Sequence, residues 1–419
     1  MQIATAPGAE ARPDTAGTAF DYVIVGAGIA AASAARSLRR NDPDGTIAIL
    51  GREPDGPFYR PDLSKTLWVD ESAQLDSGWL LDENTGAELR TGTTVTAIDA
   101  EAKTLTLSDT STVTYSRLLL ATGSEPRNLE LPMSDRILYY RTVEDYRRLR
   151  ALARPGSRAV VVGGGYIGAE IAAALAQNSV DVTLLMRGTT VQGHMFPPRL
   201  AEEVTQTYRD RGVTVIGGSG AYGVSDHTDH VIVADADGET HTADVVVVGV
   251  GVIPNDQVAQ QAGITVDDGI VVDEHLATSA ADVWAAGDVA RYDDPLLGRR
   301  RVEHVNNAKR MGTIAGRNMA RSRTGTKEQD PYAYTPFFWS DLFDYGYEAV
   351  GVLDASLETV EDFTDDRTAG VVYYLDEGAV RGVLLWNVWD SVEKAKQVME
   401  QSKTEPLGAD DLIGRIALE

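Results

Sequence analysis

The sequence predicts an α/β fold in which one strand, turn and helix module occurs twice and a separate α+β domain follows. Three observations predict it. A β-branched run breaks into glycines and then an Ala-rich helix at YVIVGAGIAAASAARSLRR, from Tyr22, and the same order returns at RAVVVGGGYIGAEIAAALA, from Arg158. Between and after these modules lie two buried strands that each end in a small-residue turn, YSRLLLATGSEP from Tyr115 and ADVVVVGVGVIPN from Ala243, and each reads as a hinge. Beyond about Arg323 the composition shifts to clustered aromatics, YAYTPFFWSDLFDYGYEAV, followed by alternating strands and the polar helix SVEKAKQVMEQS.

Bulk properties bound the problem. At 419 residues the chain is longer than one core usually sustains, so two or three domains are expected. A net charge of -25 gives a self-repelling surface that should avoid nucleic acid and anionic membranes, although general acidity of the host cell explains it as well. There is no cysteine, which removes disulfides, thiolate metal sites and every scheme built on a redox-active thiol. The first 20 residues lack the apolar run of a signal peptide and carry acids that an import presequence avoids. Residues 1–17 are therefore expected to form a disordered tail, and the protein to be cytoplasmic. No stretch approaches the roughly 18 to 20 apolar residues of a membrane span.

The repeat is separated by about a domain length, which points to duplication of one module rather than to a solenoid. Its chemistry lies in the turn. A pyrophosphate needs backbone amides close to it at a helix N-terminus, so small residues must sit between strand and helix. Gly26, Gly28 and Ala31 provide the first set, and Gly163, Gly165 and Gly168 the second. A tight turn with no ligand shows such glycines too, but the strand before and the helix after favour a dinucleotide at each. The segment DVWAAGDVA, Asp282 to Ala290, adds another strand and turn, and VNNAKRMGTIAGRNMA has helical spacing.

The order GAGIAA, FYRPDLSK, LLLATG, GGGYIGAE, VGVIPN and VWAAGDVA resembles flavoproteins of the ferredoxin-reductase and apoptosis-inducing-factor type, over about Asp21 to Asn318. In the last domain FFWSDL, GYEAVG and LLWN look closer to apoptosis-inducing factor. The resemblance implies a glutathione-reductase-like fold. Its FAD-binding domain would be split between residues 18–127 and 248–325, with an NAD(P)H-binding domain at 128–247. Residues 326–419 would form an α+β domain that covers the flavin or makes a homodimer.

Residue by residue, the resemblance places FAD diphosphate on the first glycine turn, Arg60 and Lys65 around the flavin and Val95 at the adenine end. Ala121, Thr122 and Gly123 belong to its LLLATG strand end, and Gly287 with Asp288 to the ribityl contact. Asp288 also suits a helix N-cap. Lys65 and Glu170 would be the catalytic pair near the nicotinamide, where a solvated lysine and a first-turn helix acid are the plain alternatives. Ile167, Arg141 and Gly251 would line the same crevice. Glu303, His304 and Val305 match a segment against flavin and nicotinamide, with a structural role for His304 as the other reading. Trp339, Glu348 and Asn387 match positions that reach the cofactor, although Trp339 among Phe337, Phe338 and Leu342 suits core packing.

Two strand ends depart from the pattern. NAD recognition uses an acid roughly 20 residues after the glycines, but VDVTLLMRGTT offers Met186 and then Arg187, which leaves NADH and NADPH both open. In the first module Arg52 precedes Glu53, to which the FAD ribose is assigned. The stretch from Lys65 to Val95 is short beside apoptosis-inducing factor, and that family's long C-terminal insertion is missing. Both losses argue against the eukaryotic proteins' regulatory or nucleic-acid-binding behaviour.

Lack of cysteine removes disulfide and coenzyme A-disulfide reductases and thiol peroxidases. What remains is hydride transfer from NAD(P)H to flavin N5 and onward electron transfer. Three acceptor readings stand: an apoptosis-inducing-factor-like enzyme using oxygen or quinone, which is favoured; a ferredoxin or rubredoxin reductase serving an iron–sulfur protein and a monooxygenase; and an NAD(P)H-responsive redox-sensing binding protein. The second needs a basic docking patch, for which Arg299, Arg300, Arg301, Lys309 and Arg310 are the candidates.

Overall fold

The computed structural model describes residues 18–132 and 134–418, so the tail expected over residues 1–17 lies outside the described residues. Strand β1 (Ala19–Val25) enters the first glycine turn and continues through helix α1 (Ile29–Asn41) to β2 (Ile47–Leu50). All of β2 and the last four residues of β1 are buried, which is why they read as continuous apolar runs. After one helical turn, α2 (Thr66–Val69), come β3 (Glu88–Arg90), β4 (Val95–Asp99), β5 (Thr104–Leu107) and the long β6 (Thr112–Leu120). The sheet order is β3-β2-β1-β6-β5-β4, parallel from β3 to β6 and antiparallel beyond.

Strand β7 (Ser124–Pro126) leads to the second module: β8 (Ile137–Tyr139), α3 (Val143–Leu152), β9 (Arg158–Val162), α4 (Tyr166–Gln177), β10 (Asp181–Met186), α5 (Pro198–Asp210) and β11 (Thr214–Gly217). A three-stranded excursion, β12 (Ala221–Asp226), β13 (Val231–Asp235) and β14 (Thr240–Ala243), precedes β15 (Val245–Val248). The second sheet, β11-β10-β9-β15-β8, is wholly parallel.

The two expected hinges pair with each other. Strand β16 (Val252–Pro254) runs antiparallel to β7, and the flanking bonds, Arg127 N–H to Gly251 O at 2.9 Å and Asn255 N–H to Gly123 O at 3.0 Å, extend the ladder at both ends. After α6 (Gln257–Gln261) and β17 (Ile270–Val271) the chain returns to the first sheet, where β18 (Val283–Ala285) lies parallel to β6. The hairpin β19 (Ala290–Asp294) and β20 (Gly298–Arg301) then leads to helix α7 (Val305–Thr324), which lies on α1. Their contact is backbone-close: a Cβ on Gly312 or Gly316 would fall 2.2 Å from Ala30 O or 2.5 Å from Ala34 O.

The last domain is an antiparallel sheet of β21 (Phe337–Leu342), β22 (Tyr345–Gly351), β23 (Glu358–Phe363), β24 (Gly370–Asp376) and β25 (Ala379–Trp386), in the order β21-β22-β25-β24-β23. Helix α8 (Val392–Ser402) covers one face, with Val398 and Met399 against Val383 and Leu385. The other face joins the second module's core: Phe196 meets Tyr347 and Trp386 edge-on, and Tyr374 donates to Met195 O at 2.7 Å. Among the described residues, no helix is long and apolar enough to cross a membrane.

Candidate functional site

Both glycine turns are built for close backbone approach. Gly26 has φ +109 and Gly163 φ +113, and a Cβ on either would lie 2.1 Å from Ala121 O or 2.3 Å from Gly249 O. Gly28 and Gly165 cap α1 and α4, and a Cβ on either would meet nothing within 4 Å, because both face open space. Neither helix has a side-chain N-cap bond or an acid in its first turn, so the positive ends of both point uncompensated into one cleft. That cleft measures about 2110 Å³, beyond the range of roughly 300 to 1,000 Å³ usual for one small ligand. Two open anion-binding turns on one large cleft fit two dinucleotides.

The cleft wall holds a buried polar cluster. Lys65 Nζ meets Glu170 Oε1 at 2.6 Å, Ser64 Oγ donates to Oε2 at 2.6 Å, and Ser340 Oγ donates to Oε1 at 2.6 Å. The Glu170 side chain is 3% exposed and that of Lys65 15%, so Lys65 is not a solvated surface lysine. Nor is Glu170 a first-turn acid. It is the fifth residue of α4, whose first turn contains none. The Lys65 segment is pinned by Trp68 Nε1 and the Tyr140 hydroxyl, which both donate to Leu63 O. Burial raises the neighbouring Asp341 carboxyl above its ordinary range, Lys65 opposing and Glu170 adding to the shift.

A second chain of contacts runs toward the first turn. Arg60 pairs with Glu53 at 2.6 Å and donates to Arg141 O at 2.8 Å. Arg141 in turn meets Asp288 at 2.9 Å and Ser124 Oγ at 3.1 Å. A capping box, Thr142 with Asp145, starts α3 directly after Arg141 and fixes its backbone. No helix starts at Asp288, since strand β19 follows, and the N-cap reading fails there. Glu303 pairs with Arg301 at 2.5 Å. His304 caps α7 through its backbone and stacks on Phe338, centroids 4.4 Å apart at 21°. Burial first, then the charge of Arg300, lower its pKa to about 4 against the pull of Asp288, so the ring is neutral at ordinary pH.

Most residues named from sequence line this one cleft: Val95, Ala121, Thr122, Gly123, Ile167, Arg187, Gly251, Gly287, Val305 and Trp339 join those above. Trp339 is only partly buried and faces the cleft, so it is not simple core packing. Four residues do not line it. Ala31 is buried in α1, and Gly168 serves packing, since a Cβ there would lie 1.8 Å from Gly163 O. Glu348 pairs across from Trp339 on β22, but its carboxyl lies off the cleft, held above its usual range by burial and then Asp390. Asn387 lines an adjoining cleft of about 470 Å³ and is occupied by Gly346 N and Thr368 O. Sequence reading missed Ser64, Ser124, Ser340 and Phe338. Only the alternation of β21, which buries Phe338 and Ser340 on one side, carried a signal for any of them.

Residues 20–312 match the family described as pyridine nucleotide-disulphide oxidoreductase, and residues 315–369 match apoptosis-inducing factor, mitochondrion-associated, C-term. The chain is similar to apoptosis-inducing factor 1, mitochondrial, of Dictyostelium discoideum, 33% identical over 425 residues, 92% of this chain and 79% of that one. It is also similar to putidaredoxin reductase of Pseudomonas putida, 35% identical over 392 residues, 90% of this chain and 91% of that one. Among solved structures, a chain of the covalent putidaredoxin reductase-putidaredoxin complex matches with a TM-score of 0.82 at 30% identity, over 96% of this chain and 99% of that chain.

Proposed function

The chain belongs to the pyridine nucleotide-disulphide oxidoreductase family, and on that premise we propose how its two glycine turns divide the work. It is an FAD-dependent NAD(P)H oxidoreductase that contains no cysteine. In this reading the first turn holds the FAD diphosphate, with Glu53 at the ribose, Val95 at the adenine end and Asp288 at the ribityl chain. The second turn holds the nicotinamide nucleotide. FAD, when bound, supplies a ring that accepts hydride and passes electrons on.

The chain's own part is positioning and electrostatics. The single observation that carries the reading is the Lys65–Glu170 pair, buried in the wall of the cleft onto which both glycine turns open. Lys65 presents a cation that stabilises negative charge on a reduced ring, and Glu170 fixes that ammonium in place. Ser64 and Ser340 satisfy the carboxylate oxygens, so the pair keeps one geometry. His304 and Phe338 add uncharged bulk that excludes water.

For the acceptor the reading favours oxygen or a quinone, in the manner of apoptosis-inducing factor. The basic strip suited to an acidic iron–sulfur partner is largely neutralised within the chain: Arg299 pairs with Asp293 at 2.6 Å, and Arg301 with Asp268 at 3.4 Å. A ferredoxin reductase is the second reading, favoured by the end-to-end similarity to putidaredoxin reductase. Exposed Lys309 and Arg310 would then serve docking.

Anaerobic stopped-flow spectroscopy of the FAD-loaded protein tests the site. Glu170→Gln is expected to keep its flavin yet slow reduction by NAD(P)H about ten- to a hundredfold. Unchanged reduction removes Glu170 from the reading. Reoxidation faster with a [2Fe–2S] protein than with oxygen or quinone moves the acceptor to the second reading.

A further inference from the structure

We propose that the second module selects NADPH, binding its 2′-phosphate through Arg187 with the Gly188–Thr189–Thr190 loop. The inference rests on the reading that this module holds the nicotinamide nucleotide.

An NAD site of this type places a carboxylate at the end of the second strand to accept from the ribose hydroxyls. Here that strand is β10, which ends in Met186. Met186 is 3% exposed and turned under the glycine turn, where its sulfur lies 2.4 Å from where a Cβ on Gly164 would be. It offers the ribose no acceptor. The parallel registers Val25 with Leu50 and Val162 with Leu185 align the two modules, so Gly188 occupies the place that Glu53 has in the first. The acid is therefore missing from both available positions.

What stands there instead is a free cation. Arg187 is exposed, lines the cleft and, among the described residues, makes no hydrogen bond or ion pair. Its counterpart in the first module, Arg52, is held by Glu125 at 3.0 Å. The residue matching Glu125 in the second hinge strand is Ile253, which has no charge to give. Among the described residues Arg127, at the hinge strand, is the other exposed arginine of this cleft without an acid, but Arg187 alone stands where the second strand's acid is missing. The space around it is also made: a Cβ on Gly220 would lie 2.9 Å from Arg187 Cγ, so bare glycine leaves room for the stem. Gly188, Thr189 and Thr190 line the cleft beside it and add a small backbone donor and two hydroxyls. A planar fork with hydroxyl donors and no carboxylate suits a phosphate dianion and disfavours an unphosphorylated diol.

Isothermal titration of the FAD-loaded protein with ADP-ribose and with 2′-phospho-ADP-ribose tests this, because neither fragment can be turned over. The phosphorylated fragment is expected to bind about tenfold or more tightly than ADP-ribose, the scale of one charge-assisted contact. Arg187→Ala should bring the two affinities together, and Arg187→Lys should keep part of the difference. Equal affinities in the parent protein, or a preference that survives Arg187→Ala, overturn the proposal. If neither fragment binds while the flavin stays in place, the nucleotide reading of the second module falls, and the proposal with it.

Discussion

Laid over one another by their parallel registers, the two glycine-turn modules use the same backbone and exchange the side chains around it. Gly26 and Gly163 each press a bare Cα toward a carbonyl of the neighbouring strand end, Ala121 or Gly249. One residue on, the pattern inverts. In the first module Ala27 faces Gly51, where a Cβ would come within 2.6 Å of the alanine; in the second Gly164 faces Met186, at 2.4 Å. Each contact has one residue with a side chain and one without. What the crossing needs is a glycine on one side, and which strand supplies the side chain is free to change. Where the modules line the cleft, no such compensation exists: Glu53 and Glu125 in one correspond to Gly188 and Ile253 in the other.

The sharpest way to break this comparison is the same lesion in both turns. Gly26→Ala and Gly163→Ala each combine a forbidden φ with a clash against fixed backbone, worth about 3 kcal/mol or more locally. Gly26→Ala is expected to purify colourless, whereas Gly163→Ala stays yellow, is reduced by dithionite, and resists NAD(P)H. Flavin absorbance per chain reads the first and anaerobic titration the second. Equal flavin loss in both would mean that the turns are not independent sites.

A smaller effect sharpens the volume exchange. Gly51→Met alone should overpack the first module by about 2 kcal/mol in urea denaturation. Adding Ala27→Gly copies the second module's arrangement and should recover about 1 kcal/mol of that loss as coupling between the two sites. Strict additivity refutes the exchange.

The covers over the modules differ too, and here the expected effect is smallest. Helix α7 lies over α1 with His304 at its start, while β21 lies over α4. His304 is held neutral in the folded chain down to about pH 4, whereas the unfolded side chain titrates near 6.5. Between those values the unfolded state binds more protons, so the stability present above pH 6.5 is lost as pH falls toward 4. His304 borders the open cleft, where solvent screens part of the effect, so the difference between the two proteins should amount to only about 1 kcal/mol. Denaturation midpoints at pH 7 and 5 should fall further for the parent than for His304→Gln, and parallel curves would deny the effect.

The fold could be read from sequence because its strongest constraints are local. Gly26 and Gly163 announce themselves between a strand and a helix, since no other residue tolerates their approach to backbone, and Gly28 and Gly165 mark the open helix starts beside them. The path of β18 back to the first sheet was legible only through the resemblance, because a three-residue strand carries no periodicity. The Lys65–Glu170 pair was reached the same way, its members being far apart in the chain. Ser64 left no trace and Ser340 only the inward alternation of β21, since a hydroxyl 2.6 Å from a buried carboxylate looks like any other serine in a one-dimensional pattern. Glu348 and Asn387 were placed by motif and lie off the cleft, because strand β22 and the turn after β25 direct them to Asp390, Gly346 and Thr368 instead.

The short ladder between β7 and β16 has a further meaning. Ser124 pairs with Pro254, Glu125 with Ile253 and Pro126 with Val252, and the end bonds are reciprocal, Arg127 to Gly251 and Asn255 to Gly123. This is an isologous contact, the kind two identical copies make about a dyad, contained within a single polypeptide. The dyad passes through the middle pair and is broken there, by a carboxylate facing an aliphatic side chain. Glu125 turns to hold Arg52, and Ile253 leaves Arg187 unclaimed. One broken pair on a twofold axis thus makes two near-copies unequal.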